Sequence, residues 1–231
     1  MRLEIFGVEG LPEIEAGDDL AGMIAEAADL ADGDVVVVTQ KIVSKAENAM
    51  VAVDPDDPLS HKPVVEQESV RVLRRRGDLV ISETKHGFVC ANAGVDRSNV
   101  DSNQAALLPD DPDRSARRIR DGIRARSEVE VGVIVSDTFG RPWRRGVADV
   151  AIGVAGVRPI LDLRGTPDAM GRELQVTEVA IVDELAAAAE LVMGKTENVP
   201  VAVIRGIDPA WFGSGNIQAD LVRPPNEDLF R

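Results

Sequence analysis

Asp137 and Thr138 are the first polar pair in the sequence whose position suggests chemistry. They follow residues 129–135, a run dominated by β-branched apolar residues that predicts a strand. A strand end is a rigid platform for a carboxylate. A carboxylate next to a hydroxyl supplies hard oxygen ligands that suit Mg2+ or Mn2+ better than zinc. The alternative is that Asp137 only caps the next turn, and the dipeptide alone leaves both interpretations open.

A second polar segment, residues 92–99, forms a glycine-containing turn after another apolar run. Asp96 in this segment is a candidate to share a metal ion with Asp137. Asn99 is a candidate to hydrogen-bond a base or a ribose. The alternative is an Asx-turn loop whose polar groups satisfy one another.

Two lysines follow a predicted valine-rich strand over residues 34–39. Lys41 and Lys45 stand out because the whole chain has only five lysines. Phosphate binding needs cations and free N–H donors, and the exit from a strand into a loop supplies both. The alternative is that these lysines are solvated and neutralise acidic neighbours, which is worth at most about 1 kcal/mol each.

Arginines cluster near Trp143, one of two tryptophans in the chain. Arg141 and Arg144 are candidates to hold an anionic substrate, since arginine binds carboxylate and phosphate in bidentate fashion. The alternative is a surface turn with Trp143 half-buried. The glycine-rich residues 212–216 lack the GxxxxGK[ST] pattern of a P-loop, so we expect a flexible tail there.

Apolar periodicity predicts the elements that position these residues. Further strands are predicted over residues 2–8, 70–74, 79–83 and 199–204, and a pair of strands with a turn between them over 147–161. Helices are predicted from Asp18 or Asp19 to Gly33, over 115–126, and from Thr177 through Val192 with Gly194 as the stop. Helices and strands mix without a strict βαβ rhythm, which favours an α+β fold with mixed sheets over a doubly wound sheet.

Length and composition limit the class of protein. The chain has 231 residues and 44% apolar residues, which fits one globular domain over residues 1–231 or two small subdomains with an unknown boundary. Cys90 is the only cysteine, so an intramolecular disulfide is excluded, and we expect it to be buried. We find no apolar run of the 18 or so residues that span a bilayer and no signal-peptide pattern, so we expect a cytoplasmic protein.

The charge balance is strongly acidic, at −14. Duplex nucleic acid is therefore not an expected partner, because phosphate neutralisation needs clustered Lys and Arg. An acidic, lysine-poor surface favours a salt-adapted host, in which salt screens charge repulsion. The alternative is an ordinary acidic protein from a GC-rich genome.

Two long strings in the sequence carry a family resemblance. They are ETKHGFVCANAGVDRSNV at residues 83–100 and VSDTFGRPWR at 135–144, and shorter matches occur at 8–12, 43–47 and 190–195. Both strings closely resemble signatures of the F420-0:γ-glutamyl ligase family, and the resemblance runs from Met1 to about Gly206. It implies a GTP-dependent ligase of archaeal coenzyme F420 biosynthesis that adds L-glutamate to coenzyme F420-0, and then a second glutamate through a γ-linkage. It also implies two intimately associated subdomains and a homodimer.

The same resemblance implies roles for particular residues. The cofactors would be Mg2+ or Mn2+, with two ions expected and K+ as an optional further ion. Asp96, Asp137 and Thr138 match metal ligands, and Asp96, Asp137 and Lys45 match the catalytic positions. Nucleotide contacts would come from Leu11, Pro12, Glu13, Ile14, Gln40, Lys41, Lys45, Asn99, Met193, Gly194, Lys195, Thr196 and Glu197. Lys195 or Glu197 is expected at the position of the second ion.

Two departures from the family pattern are visible. Residues 53–64 look shortened, with a helix apparently missing, and Met170 stands where an aromatic residue is expected. The first departure is expected to trim the surface and the second to alter substrate contacts. Two other functions use the same residues: a metal-dependent GTP phosphohydrolase, and a non-catalytic module that binds a nucleotide or a deazaflavin.

Overall fold

The computed structural model describes residues 1–228 and shows a mixed α+β fold. The helices are α1 (Leu20–Ala27), α2 (Gln40–Ala46), α3 (Lys62–Glu68), α4 (Pro112–Ser127), α5 (Ile181–Met193) and α6 (Ile217–Asp220). The strands are β1 (Glu4–Gly7), β2 (Val35–Thr39), β3 (Met50–Ala52), β4 (Ser69–Arg76), β5 (Leu79–Thr84), β6 (Val89–Ala91), β7 (Gln104–Ala106), β8 (Gly132–Arg141), β9 (Arg144–Ala155), β10 (Leu161–Asp162), β11 (Glu178–Val179) and β12 (Val201–Arg205). Within the described residues, no helix is long and apolar enough to cross a membrane.

The main sheet has five strands in the order β1-β12-β2-β8-β9. Only β2 and β8 pair in parallel, and the other neighbours are antiparallel. The four valines of β2 are fully buried, although successive side chains of a strand point to opposite faces. Both faces of the sheet are therefore covered, by α5 across the sheet and by α4, with α1 beside it, on β8 and β9.

A second group of elements lies between β2 and α4 in the chain. It contains the three-stranded sheet β4-β5-β6, the short pair β3-β7 and helix α3. Its own buried cluster consists of Val53, Val65, Val80, Val95 and Ala105, separate from the main core. This group matters for the site because it carries the segment that contains Asp96.

Several predicted boundaries are wrong. Residues after Thr39 form helix α2 and not a loop, and the long helix begins at Ile181 and not near Thr177. The first helix ends at Ala27, before Gly33. Helix α3 begins at Lys62, near the end of the region 53–64 that looks shortened in the sequence.

Residues 147–161 do not form two strands about a turn, because β9 continues to Ala155. Gly153 is not a turn residue. A Cβ there would clash with the carbonyl of Pro112, so glycine lets the start of α4 approach the strand.

Residues 212–216 also differ from the expected flexible tail. Phe212 forms a β-bridge with Val157, and Ile217 in the helix that follows is 1% exposed. The glycines of this segment therefore allow close packing and do not mark a free end.

Candidate active site

The candidate site lies at one edge of the main sheet. Thr39 at the end of β2 pairs with Ser136 of the parallel strand β8, so the residues that follow each lie side by side. β12 runs antiparallel to β2 and starts there, with Val201 opposite Val38. The start of α2, residues 137–138 and the segment before β12 therefore lie at the same edge of the sheet. Asp137 and Thr138 lie within β8, which extends to Arg141, and not just beyond a strand as the sequence predicts.

Lys41 directly contacts Asp96, one of the predicted metal ligands. Its ammonium donates to Asp96 Oδ2 at 2.6 Å and to Ser98 Oγ at 2.8 Å. The Ser98 N–H donates to Asp96 Oδ1 at 2.7 Å, as in an Asx turn. The positive charge of Lys41 and the negative charge of Asp96 both act on Asp137, so the two carboxylates lie close enough for their charges to interact. The structure thus brings Asp96 and Asp137 together, although they lie in different parts of the chain.

The pKa values of Asp96 and Asp137 are shifted in opposite directions. Loss of hydration acts to raise the pKa of Asp96, but the hydrogen bonds and charge of Lys41 and the contacts of Ser98 lower it overall. For Asp137, burial and, to a smaller extent, the charges of Asp96 and Asp149 raise the pKa to about 7, although the Thr138 N–H donates to it at 2.8 Å and the charge of Lys41 acts in the opposite direction. Asp137 is therefore a carboxyl group whose ionised form is disfavoured mainly by the loss of hydration.

A third carboxylate, Asp149 of β9, lies near enough for its charge to act on Asp137. Asp149 is opposite Thr138 in the strand register, and its side chain is only 2% exposed. Its Oδ1 accepts from Thr138 Oγ1 at 2.6 Å and from Lys195 Nζ at 2.9 Å, and its Oδ2 accepts from Ser136 Oγ at 3.2 Å. The Lys195 ammonium also contacts Thr138 Oγ1 at 2.7 Å and Glu190 Oε1 at 3.1 Å.

Helix α2 links this edge to the predicted nucleotide segment at residues 11–14. Lys41 and Lys45 lie one turn apart and so share a helix face. Lys45 forms an ion pair with Glu13, while Lys41 reaches Asp96. Asn99 contacts the other predicted nucleotide segment through a long hydrogen bond of 3.4 Å to the carbonyl of Lys195. The predicted nucleotide segments and the predicted metal ligands therefore border one region.

Some predicted contacts point elsewhere. Gln40 is buried, and its amide nitrogen donates to Ser44 Oγ and to the Leu107 carbonyl. Met193 is 1% exposed and belongs to the main core. Arg141 and Arg144 lie at the exposed tip of the β8–β9 hairpin, beyond the carboxylates along the strand. These residues do not converge with the acidic side chains.

The remaining predicted nucleotide residues differ in exposure. Leu11 is half-buried and Ile14 is buried against the main core, whereas Pro12 and Glu13 are exposed. Gly194 ends α5 with a positive φ of 61°, and Thr196 and Glu197 are exposed and bonded to each other at 3.0 Å. This exposed part of the segment is available to a ligand.

The residues near Asp137 fit a divalent cation in part. Among the hydrogen bonds of residues 1–228, Asp137 uses only Oδ1, so its second oxygen remains available as a ligand. Within the same residues, no three His, Cys, Asp or Glu side chains form a ready-made metal site. Mg2+ and Mn2+ commonly take one or two carboxylates and complete their shell with water and phosphate oxygens. The geometry therefore fits an ion that arrives with a phosphate ligand.

Two residues of the site are not predicted as site residues from the sequence. Asp149 is a lone carboxylate in the apolar run 147–161, and that isolation is a usable signal, because a buried charge needs a partner. Glu190 lies near the end of α5, where the sequence shows only an acidic residue in an alanine-rich helix. Its contact with Lys195 depends on the tertiary fold.

Comparisons with known proteins agree on one family. The sequence model described as F420-0:Gamma-glutamyl ligase matches residues 10–206. The chain is 43% identical to a coenzyme F420:L-glutamate ligase of Methanothermobacter thermautotrophicus, over 100% of both chains. It is 40% identical to the protein of that name from Methanocaldococcus jannaschii, with 100% of this chain and 97% of the relative covered. It is 41% identical to that of Haloarcula marismortui, with 99% and 96% covered.

Proposed function

The chain belongs to the F420-0:gamma-glutamyl ligase family, an amide-bond-forming group of enzymes, and we propose that it joins L-glutamate to coenzyme F420-0 at the expense of GTP. A second glutamate would follow through the γ-carboxyl of the first. The reaction would use Mg2+ or Mn2+. The small molecules F420-0, L-glutamate and GTP are the proposed partners, and the homodimer stays a prediction.

The observation that supports this proposal best is the meeting of Asp96, Asp137, Lys41 and Lys45 at one sheet edge. Opposite charges lie side by side there, in a protein whose overall charge is −14. A triphosphate needs cationic side chains, and its metal ion needs carboxylate oxygens. Three of the five lysines in the chain contact carboxylates at this edge, namely Lys41, Lys45 and Lys195.

The proposed chemistry has two steps. A carboxylate oxygen of F420-0 attacks the γ-phosphorus of GTP, the bond to the β-phosphate oxygen breaks, and GDP leaves. The amine of glutamate then attacks the carbonyl carbon of the acyl phosphate, and inorganic phosphate leaves with its bonding electrons. The amine loses a proton to phosphate or water. Activation of this kind is necessary because a free carboxylate is a poor acylating agent.

The residues of the chain bind and orient the reactants. Lys45 is placed to contact the phosphates once it releases Glu13, and Lys41 holds Asp96 and the Ser98 turn in position. Asp96 and Asp137 would hold the divalent ion, whose chemistry is to neutralise charge on the transferred phosphoryl group. Arg141 and Arg144, at the hairpin tip, are proposed to receive the carboxylates of glutamate or of the precursor.

Mass spectrometry of the products tests the proposal directly. F420-0 incubated with the protein, GTP, Mg2+ and glutamate should gain one or two glutamyl residues. Asp137→Asn should reduce this rate by at least about 100-fold, the order of loss when a group that stabilises transition-state charge is removed. Asp121→Asn is the matched control, because Asp121 is an exposed carboxylate on α4 that pairs weakly with Arg120 at 3.7 Å.

Phosphate release separates the proposed ligase from its rivals. A ligase should release phosphate from GTP only when both F420-0 and glutamate are present. Release without either acceptor would instead identify a GTP phosphohydrolase. Binding of GTP or F420-0 without product would identify a non-catalytic module, and either result would refute the proposal.

A further inference from the structure

The ammonium of Lys195 lies in a cage of three side-chain oxygens that is open to solvent on one side, since the side chain is 50% exposed. It contacts Thr138 Oγ1 at 2.7 Å, Asp149 Oδ1 at 2.9 Å and Glu190 Oε1 at 3.1 Å. A lysine ammonium has three N–H donors, and here each has an acceptor. One hydroxyl and two carboxylates are also the ligands that a hard divalent cation prefers. The cage is thus built for a cation, and a side chain already fills it.

The Thr138 hydroxyl is committed to this cage. It donates to Asp149 and accepts from Lys195, so one hydrogen and one lone pair are in use. This arrangement disagrees with the expectation that Thr138 is a metal ligand. A second divalent ion beside Thr138 would have to displace the ammonium and overcome its positive charge.

The backbone directs Lys195 into the cage. Gly194 ends α5 with a φ of 61°, a conformation that glycine adopts without strain, and the chain then reverses past Glu197. The carbonyl of Lys195 accepts a long hydrogen bond of 3.4 Å from Asn99, which belongs to the loop that carries Asp96. Lys195 thereby contacts Asp149 through its side chain and the loop that carries Asp96 through its backbone.

We propose that the Lys195 ammonium is a built-in cation that takes the place of a second divalent ion. The chain would then hold one exchangeable ion, near Asp96 and Asp137. Thr138, Asp149 and Glu190 would act as positioning residues that hold Lys195 beside the phosphates. This inference rests on the proposed function, since it concerns the cations that accompany GTP.

Counting bound Mn2+ tests the inference without measuring activity. Each purified variant, saturated with a non-hydrolysable GTP analogue, is titrated with Mn2+, and free Mn2+ is measured by electron paramagnetic resonance. Lys195→Met should bind one more Mn2+ per chain than the unaltered protein, because it removes the ammonium from the cage and keeps an unbranched apolar stem of similar length. Lys195→Arg, which keeps the positive charge, should bind no additional ion. Lys85→Met is the matched control, since Lys85 pairs with Asp110 on the surface.

Asp149 provides a second and independent measurement. Asp149→Asn should leave the Mn2+ count of the unaltered protein unchanged, but it should remove the additional ion in the Lys195→Met background. Equal counts in Lys195→Met and the unaltered protein would overturn the inference. Loss of one ion from Asp149→Asn alone would overturn it too, and that measurement does not depend on the folding of Lys195→Met.

Asp137→Asn distinguishes failure of this inference from failure of the proposed function. If the proposed site near Asp96 is real, this variant should lose one Mn2+ with Lys195 intact. An unchanged count would refute the metal-dependent part of the proposed function, whatever the Lys195 variants show.

Discussion

Removal of the Lys195 charge should destabilise the protein when no metal is present. Lys195→Met leaves Asp149, whose side chain is 2% exposed, with only the hydroxyls of Thr138 and Ser136 as partners. Removing one partner of a fully buried ion pair costs about 3–5 kcal/mol. Lys195 is 50% exposed and the hydroxyls remain, so solvent screening reduces the expected cost to about 2 kcal/mol. For a chain of this size that corresponds to about 4–8 °C in Tm.

Removal of the Asp149 charge should lower the free energy of unfolding by less than removal of the Lys195 charge. Asp149→Asn leaves Lys195 with Glu190 and with water, and its ammonium is exposed enough to be hydrated. We expect about 1 kcal/mol, the net value of a typical hydrogen bond. In the double variant, the buried charge and its partner disappear together. The two costs should therefore not add, and the coupling free energy should be about 1 kcal/mol or more.

Urea and thermal unfolding in EDTA at pH 7 measure these free energies. The control is Lys85→Met, which breaks an exposed pair with Asp110 and should cost under about 0.5 kcal/mol. A Lys195→Met cost within about 0.5 kcal/mol of the control would refute the reasoning. So would additive costs in the double variant, since additivity would mean that Lys195 and Asp149 do not interact.

Three further predictions concern the framework around the site. Gly153→Ala should lower the free energy of unfolding by about 1–3 kcal/mol in urea, because the new Cβ would clash with the Pro112 carbonyl. An unchanged unfolding midpoint would contradict the close packing. Arg205→Met should cost about 2–3 kcal/mol by the same measurement, since it strips the bidentate partner, at 2.7 and 2.8 Å, from the fully buried Asp34; a loss under about 0.5 kcal/mol would show that the pair is unimportant. Burial raises the pKa of Asp113, so its folded pKa lies above its unfolded value of about 3.9 and its contribution to stability falls as pH rises through that interval. Asp113→Asn should flatten this part of the curve of unfolding free energy against pH, and an identical slope in both proteins would contradict it.

Apolar patterns predicted the strands well where burial covers both faces. The four successive valines of β2 predicted a central strand, and the strands expected over 70–74 and 79–83 are present as β4 and β5. The errors arose where glycine has a tertiary role. Gly153 is typical of a turn in the sequence, but in the fold glycine is needed there because the Pro112 carbonyl leaves no room for a Cβ. Pro112 is 41 positions earlier in the chain and adjacent only in the fold.

The candidate site was predictable where a residue type was rare. Lysine scarcity drew attention to Lys41 and Lys45, and the structure places both beside acidic partners. The commitment of Gln40 to the Leu107 carbonyl could not be predicted, because that contact spans 67 positions. Asp149 is not predicted for a related reason, since its partners Thr138 and Lys195 come from another strand and from the segment after α5.

The charges at the sheet edge bear on how many ions the site needs. Lys41, Lys45 and Lys195 contact four carboxylates there, and Asp137 is a fifth without a lysine contact, so the formal charge is −2 when all groups are ionised. The five are Glu13, Asp96, Asp137, Asp149 and Glu190. One divalent ion would neutralise this set, and at Asp137 it would also stabilise the ionised form of a carboxyl group whose pKa burial raises to about 7. A second divalent ion would be needed only if Lys195 left its cage, and for that reason the metal count, more than the rate of ligation, discriminates between the two arrangements.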